Sequence, residues 1–156
     1  MSGKIIVSLI VAISLISGVA IYWLQLYAFY DPVDAEAEVM RMTNVATDQA
    51  EEIIADGLEG IDANSSPLRF RACFTTPSSL AMLTETYVIH EDPTPLTAPG
   101  WFECFDAETI GHDLEQGQAV AFLGERNIRD GVDRIIAVYP DGRAFAWHQL
   151  NEKYDE

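Results

Sequence analysis

Two cysteines, Cys73 and Cys104, are the side chains of this sequence with the strongest potential for chemistry. Neither belongs to a C-x-x-C pair, so the thioredoxin-type redox motif and the usual zinc knuckle are missing from the sequence. In an oxidising compartment the two thiols most simply pair, which closes a loop of about thirty residues. The alternative is a soft-metal site that adds Met82 or a histidine to the two thiolates. No Met-rich or His-rich tract accompanies them, so the sequence favours the disulfide and predicts no metal.

Three histidines are the other candidates for chemistry: His90, His112 and His148. Each has an acidic or aromatic neighbour in sequence, but consecutive residues of a strand point to opposite faces, so such neighbours are weak evidence for a shared site. The sequence contains no G-x-S-x-G elbow, P-loop, dinucleotide-binding glycine pattern or H-E-x-x-H motif. We therefore predict a protein that is not an enzyme, with no catalytic residue and no cofactor.

Four side chains could line a ligand pocket or a protein interface: Trp101, Phe102, Trp147 and His148. The first two follow a segment with prolines at positions 93, 95 and 99, which excludes regular structure there. The same aromatic residues are also what a small domain buries around a disulfide. The sequence favours burial of the aromatic residues in the core, with a ligand pocket as the alternative.

The charge of the chain restricts its partners. Its 156 residues include 25 acidic and 9 basic side chains, which gives a formal net charge of −16. Nucleic acid is excluded as a partner, because phosphate binding needs clustered Lys and Arg. An acidic surface instead accelerates association with a basic partner, so a basic soluble electron carrier is a candidate. The alternative is that the acidity reflects a salt-adapted proteome.

The N-terminal segment has the length and composition of a membrane anchor. Residues 5–30 hold no charged side chain, and as a helix they would cover roughly 39 Å, more than the hydrocarbon core of a bilayer. A cleaved signal peptide is the alternative, since Gly18-Val19-Ala20 offers small residues at the positions that a signal peptidase inspects. The apolar run continues for ten residues past Ala20, which favours an uncleaved anchor over residues 1–30.

Side chains in and around the anchor predict its orientation and contacts. Lys4 precedes the span and acidic residues follow it, so we expect a single-pass protein of the bacterial inner membrane with a cytoplasmic N-terminus and a periplasmic domain. Ser14 and Gly18 share one helix face in a small-xxx-small pattern that allows a partner helix to approach. Four aromatic residues at the outer end are expected at the membrane interface: Tyr22, Trp23, Tyr27 and Tyr30.

The remainder is predicted to be one small domain with an acidic lead-in. Residues 31–66 contain ten acids and one base, which predicts an acidic stalk or a weakly packed edge, with short strands and a helix over 46–55 equally supported. Residues 67–156 predict a periplasmic α+β domain with a mainly antiparallel sheet, two short helices and a C-terminal β-hairpin. The predicted strands cover residues 68–74, 87–90, 119–123, 135–139 and 144–150, and the predicted helices cover residues 80–84 and the segment after Asp106.

Four segments of the sequence carry a family resemblance. They read L-Y-A-F-Y at 26–30, S-P-L-R-F-R-A-C-F at 66–74, L-T-A-P-G-W-F-E-C-F-D at 96–106, and Y-P-D-G-R at 139–143 with W-H-Q at 147–149. This pattern resembles an uncharacterised family of short, single-span alphaproteobacterial proteins classed under a domain of unknown function. The resemblance covers nearly the whole chain and implies an alphaproteobacterial source and a periplasmic domain. It brings no activity and no catalytic residues.

Two functions are compatible with these features. One anchor, a small-residue helix face, one compact domain and the lack of a catalytic motif predict a non-enzymatic accessory or assembly subunit of a larger inner-membrane protein complex, respiratory or photosynthetic. The alternative is a membrane-anchored periplasmic ligand-binding or sensory module, in which the proline-rich loop and Trp101 form the mouth of a pocket. A deep polar pocket that joins His90 or His148 to carboxylates would favour an enzyme instead.

Overall fold

The computed structural model describes residues 2–154, which form two compact units with a division after Tyr30. The first unit contains helix α1, Gly3–Leu26, and none of its 24 residues is buried. Its most apolar 18-residue window has a mean hydropathy of 2.6, so the helix is long and apolar enough to cross a membrane. By these criteria α1 is a membrane anchor or a signal sequence.

Side chains singled out in α1 make contacts within their own unit. The hydroxyl of Ser14 donates to a main-chain carbonyl one turn earlier at 2.9 Å, which satisfies it inside the helix. Trp23 and Tyr27 stack with ring centroids 5.0 Å apart, and Tyr22 lies 6.3 Å from Tyr27. The aromatic residues thus group at the C-terminal end of α1, whereas their contact with headgroups and the partner helix at Ser14 and Gly18 stay predictions.

The second unit is an α+β domain, as predicted. Its strands are β1 (Asp31–Pro32), β2 (Arg41–Thr43), β3 (Ala50–Glu52), β4 (Asp56–Asp62), β5 (Arg71–Thr75), β6 (Val120–Leu123), β7 (Val132–Val138) and β8 (Arg143–Leu150). Six of them form an antiparallel sheet in the order β1-β4-β5-β8-β7-β6, and β2 pairs with β3. The helices are α2 (Leu80–Thr86) and α3 (Ala107–Glu115), and a short 3-10 helix, Glu152–Tyr154, follows β8.

Each face of the six-stranded sheet has its own apolar core. One face packs against α2 and the β2–β3 pair, in a core that includes Met42, Leu83 and Phe122. The other face packs against α3 and the residues before it, in a core that includes Ile110 and Trp147. Because side chains alternate along a strand, β6, β7 and β8 contribute to both cores. This alternation decides which face each polar residue of these strands reaches.

Local sequence signals produce the elements next to the proline-rich segment. The β7–β8 hairpin turns at Gly142, whose φ is +89° and whose ideal Cβ would lie 2.7 Å from the Thr76 carbonyl oxygen, so only glycine fits. Helix α3 begins after Asp106, as predicted, because its carboxylate accepts the N–H groups that open the helix. Helix α2 is capped by Ser79, whose side chain accepts the Met82 N–H, and it runs two residues further than predicted.

Residues 31–66 are not a stalk, and the predicted boundary at residue 66 is not a boundary in the structure. The compact unit begins at Asp31, and this segment supplies four of the strands. Met40 and Met42 are 1% and 0% exposed, and Ile61 on β4 is also buried. The acidic residues occupy outward positions while a few apolar residues turn inward, so charge density alone did not reveal the packing. Within 46–55 the structure has strand β3 and no helix.

Candidate functional site

Buried polar side chains gather at one end of the hairpin formed by β7 and β8. Asp133, Arg134, His148 and Gln149 are each at most 8% exposed. Asp133 pairs with Gln149 in the sheet, and Arg134 pairs with His148. Alternation puts the first pair on the face covered by α3 and the second pair on the face covered by α2. We call these four residues the polar end of the hairpin.

On the face covered by α3, Gln149 binds the proline-rich loop, residues 91–105. Its Oε1 accepts the Thr94 N–H at 2.8 Å, and its Nε2 donates to the Asp92 carbonyl oxygen at 3.1 Å. The same amide accepts from Trp147 Nε1 at 3.0 Å and donates to His90 Nε2 at 3.1 Å. One buried glutamine therefore satisfies two main-chain groups of a segment that has no regular structure.

Arg71, on the neighbouring strand β5, binds the next part of the loop. Its Nε donates to the Leu96 carbonyl oxygen at 2.6 Å, and its Nη2 donates to that of Thr97 at 3.3 Å. Its Nη1 donates to the carbonyl oxygens of Leu68 and Phe70 at 2.7 and 2.6 Å. Arg71 is 4% exposed, so carbonyl dipoles of the loop replace water around its buried charge.

A disulfide provides the third attachment of the loop. Cys73 on β5 and Cys104 near the end of the loop are bonded, with their Cα atoms 6.3 Å apart, as the sequence predicted. Cys73 packs into the core beneath α3, whereas Cys104 is exposed. A bond across 31 residues of sequence thus joins the loop to the middle of the sheet. It indicates an oxidising compartment.

The attached loop presents Trp101 at the surface. Trp101 is 38% exposed, and its ring lies 6.4 Å from that of the half-buried Phe102 in an edge-on arrangement. Glu103 and Asp106 flank them, and both residues are exposed. Hydrogen bonds from the Thr109 and Glu108 amides, together with the Thr109 hydroxyl, hold the pKa of Asp106 below its ordinary value. The loop therefore combines an exposed aromatic ring with carboxylates in a fixed backbone.

The stretch of sequence that contains the loop is acidic. Residues 72–125 contain no Lys or Arg, and they contain nine acidic residues. The basic residues of the domain lie elsewhere in the sequence, and Arg41, Arg126 and Arg134 pair with carboxylates. The proline-rich loop and α3 therefore lie within a long stretch of sequence in which every Asp, Glu, Lys or Arg position is acidic. Such a surface attracts a cationic partner and repels anionic ones.

The four residues predicted to form a pocket or interface do not form one site. Trp147 is 0% exposed and packs edge-on against Phe105, with centroids 6.3 Å apart. His148 points to the other face, where it stacks on Phe70 at 4.6 Å. The physical reason is that Trp147 and His148 are adjacent on β8 and therefore face opposite ways. Trp101 alone of the four is exposed.

His148 belongs to a buried cluster on the face covered by α2. Arg134 Nε donates to His148 Nε2 at 3.1 Å, and His148 Nδ1 donates to the Pro67 carbonyl oxygen at 2.8 Å. This pattern requires a neutral ring with its proton on Nδ1. Burial and, secondly, the charge of Arg134 lower the pKa of His148 to about 3. Both ring nitrogens are engaged, so the geometry assigns His148 a structural role and not that of a general base.

Arg134 connects this cluster to the segment that follows α1. Its Nη1 lies 2.5 Å from Glu38 Oε1 and 3.9 Å from Glu125 Oε2. Its guanidinium carbon lies 4.1 Å from the centre of the Phe70 ring. With 4% exposure, Arg134 needs these carboxylates to compensate its charge. Glu38 thereby attaches the connecting segment, residues 31–40, to the sheet.

An open cleft of about 710 Å³ lies between the connecting segment and His148. Acidic residues line it, including Asp31, Asp34 and Asp62, and burial raises the pKa of Asp62 above its ordinary value. Within residues 2–154, no group of three or more His, Cys, Asp or Glu side chains is arranged to hold a metal ion. Clefts of about 740 and 760 Å³ border the first part of the proline-rich loop, and a smaller one of about 280 Å³ passes Phe102 but is not lined by Trp101.

The sequence predicted the disulfide and an irregular loop before Cys104, but it did not predict how the loop is attached. Gln149 lies 55 residues from Thr94 in sequence, and Arg71 lies 25 residues from Leu96. No motif connects such residues. A usable signal was the three-proline loop itself, because a segment without regular structure leaves carbonyl and N–H groups that buried polar side chains of the sheet can satisfy.

Comparison with known proteins places the domain in a family without giving it an activity. No curated protein and no solved structure matches the chain. The model of a family of unknown function, DUF6446, matches residues 40–156, which is three quarters of the chain and includes the proline-rich loop, the disulfide and the polar end of the hairpin. The chain therefore belongs to the DUF6446 family.

Proposed function

We propose that this protein is a non-enzymatic accessory or assembly subunit of a larger inner-membrane protein complex. In this proposal α1 is an uncleaved single-pass anchor with a cytoplasmic N-terminus, and the domain lies in the periplasm. The charge asymmetry around the span supports this orientation, and the disulfide supports an oxidising compartment. A respiratory or photosynthetic complex is the class of partner to test first.

The proline-rich loop is the observation that carries the proposal. Three separate attachments, through Gln149, Arg71 and the disulfide, fix its backbone before any partner binds. A loop ordered in advance loses less conformational entropy on binding, so more of the contact energy appears as affinity. Exposed tryptophans are frequent anchors of protein interfaces. The exposed Trp101 on this fixed loop is therefore the best candidate for the contact point.

The charge of the surface defines the chemistry of the partner. A section of chain with nine acids and no base complements a basic protein surface, on the integral membrane complex itself or on a basic soluble electron carrier that the complex uses. A cationic side chain of the partner can lie over the Trp101 ring while neighbouring carboxylates pair with it. Electrostatic attraction of this kind weakens as ionic strength rises.

The buried polar residues support a role without catalysis. Arg71 and Gln149 form hydrogen bonds with the loop backbone, and both ring nitrogens of His148 are hydrogen-bonded, one to Arg134 and one to the Pro67 carbonyl oxygen. Groups that catalyse proton transfer must instead reach a substrate. The polar side chains therefore hold the recognition surface in place.

The proposal predicts that changes at the loop dissociate the protein from its complex. We expect Trp101→Ala to reduce the share that migrates with the complex by about tenfold or more, since interface tryptophans often contribute 2 kcal/mol or more. Glu103→Lys should have a similar effect by reversing a charge on the same surface. The controls are Ile54→Ala and Glu59→Lys, which change an exposed apolar residue and an exposed acid outside the loop.

The measurement uses the full chain with a C-terminal tag, expressed in its own cells. Membranes are solubilised in a gentle detergent and separated on a native gel, and mass spectrometry identifies the proteins in each band with their stoichiometry. Stoichiometric migration of the wild type and both controls with one complex, but not of the two loop variants, is the expected result. If the wild-type protein migrates by itself, without any partner protein, the proposal is contradicted. That result would favour the alternative, a ligand-binding module with the 710 Å³ cleft as its site.

A further inference from the structure

We propose that the polar end of the hairpin couples the connecting segment to the proline-rich loop, so that loosening one of them loosens the other. The first segment leads from the anchor helix into the domain, and the second is the exposed loop on the other face of the sheet. This inference concerns a conformational device within the domain, and it holds whatever the loop binds.

The connecting segment depends on the pair Arg134 and His148. Glu38 reaches Arg134 at 2.5 Å, and Arg134 reaches His148 at 3.1 Å. Elsewhere in the segment, a main-chain hydrogen bond runs from the Val33 N–H to the Gly60 carbonyl oxygen at 2.8 Å, and the side chains of Val33 and Met40 pack into the core on the face covered by α2. Glu38 adds an ion pair that attaches this segment to the central hairpin.

The proline-rich loop depends on the adjacent pair. Gln149 binds Asp92 and Thr94 of the loop, while Asp133 accepts the Asn127 N–H at 2.8 Å and Asn151 Nδ2 at 2.9 Å. Asp133 and Gln149 are directly opposite each other in the ladder. Asp133 thus joins β7 to the residues just before β7 and just after β8, and Gln149 joins β8 to the loop.

The two pairs share the same backbone. Asp133 is joined to Arg134 by one peptide bond, as Gln149 is to His148, and both pairs are consecutive in the register of β7 with β8. If Glu38 lost its charge, the buried charge of Arg134, which is 4% exposed, would keep Glu125 at 3.9 Å as its remaining described carboxylate, so we expect Arg134 to move toward water. A shift of Arg134 and His148 moves the peptide planes that also position Asp133 and Gln149. The hydrogen bonds between Gln149 and the loop are then strained, although the substitution lies on the opposite face of the sheet.

Hydrogen–deuterium exchange of the full chain in detergent micelles tests this coupling. The Glu38→Gln variant should accelerate exchange in peptides covering residues 31–40, and also in peptides covering residues 91–98, by about fivefold or more. Glu36→Gln is the matched control, because it removes the same charge from an exposed position of the same segment. Peptides of α2 should be unchanged in both variants, which separates coupling from global unfolding.

The reciprocal variant completes the test, because a coupling free energy acts equally in both directions. Gln149→Met removes the loop hydrogen bonds with a side chain of similar size, and it should accelerate exchange in residues 31–40 by a similar factor. The proposal would be overturned if each substitution accelerated exchange only in the segment that its own side chain contacts, which is residues 31–40 for Glu38→Gln and residues 91–98 for Gln149→Met. If Glu38→Gln unfolds the domain, Glu38→Asp keeps the charge and lengthens the contact, and the same comparison applies.

Discussion

Replacing Cys73 and Cys104 together by serine should lower the free energy of unfolding by about 3 to 4 kcal/mol. The disulfide joins residues 31 apart, and in the chain-entropy model a cross-link of this length removes that much conformational freedom from the unfolded chain. The loss is large for a domain whose total stability is expected to be about 5 to 15 kcal/mol. Denaturant unfolding followed by the fluorescence of the buried Trp147 measures it.

The reduced wild-type protein provides the control for this prediction. A reductant should destabilise the wild type by about the same amount as the double substitution and should leave the serine variant unchanged. The loop should also lose order locally, because Gln149 and Arg71 attach only its first part, between Asp92 and Thr97. A loss below about 1 kcal/mol would show that these hydrogen bonds suffice without the disulfide.

The domain should lose stability on acidification because of His148. Its pKa in the folded protein is about 3, lowered by burial and by Arg134, against an ordinary value of 6.5 in the unfolded chain. Between these values the unfolded state binds the extra proton, so stability is complete above pH 6.5 and falls as the pH decreases toward 3. The free energy of unfolding then changes by up to about 1.4 kcal/mol per pH unit, so the domain should have lost roughly 2 to 3 kcal/mol of stability by pH 4.5.

His148→Gln should remove this slope. A glutamine amide can donate to the Pro67 carbonyl oxygen and accept from Arg134, but it does not titrate. The raised pKa of Asp62 acts in the opposite direction, because the folded state takes up that proton at a higher pH than the unfolded state. This effect is present in both the wild type and His148→Gln, so it cancels when their slopes are compared. His112→Gln, an exposed histidine on α3, is the matched control and should keep the wild-type slope. Equal slopes in the wild type and His148→Gln would refute this account of His148.

Elements defined by local chemistry were predicted well. The turn at Pro140-Asp141-Gly142 and the cap at Asp106 act through residues two or three positions away, so the hairpin and α3 follow directly from their sequences. The disulfide also followed, because two cysteines outside any metal-binding spacing leave one simple pairing. These features involve few alternatives.

Elements defined by distant contacts were not predicted. Strands β2 and β3 have three residues each, and the acids around them hide the two methionines that reach the core. The attachment of the loop needs Gln149 to meet residues more than fifty positions away in sequence. Tertiary pairing decides both features, and a single sequence does not contain it. The grouping of Trp147 with His148 is a different case, because the strand predicted over residues 144–150 already directs consecutive side chains to opposite faces.

The most direct test of the account is to ask what lies next to the proline-rich loop in the membrane of a living cell. A photoreactive amino acid at position 100 suits this test, because an ideal Cβ on Gly100 meets no atom within 4 Å and Trp101 stays intact beside it. The same group at exposed Ile54 is the control. We predict one dominant adduct from position 100, with a subunit or electron carrier of an inner-membrane complex, that is absent from position 54. Equal adducts from both positions, or none from position 100, would contradict the proposed role of the loop.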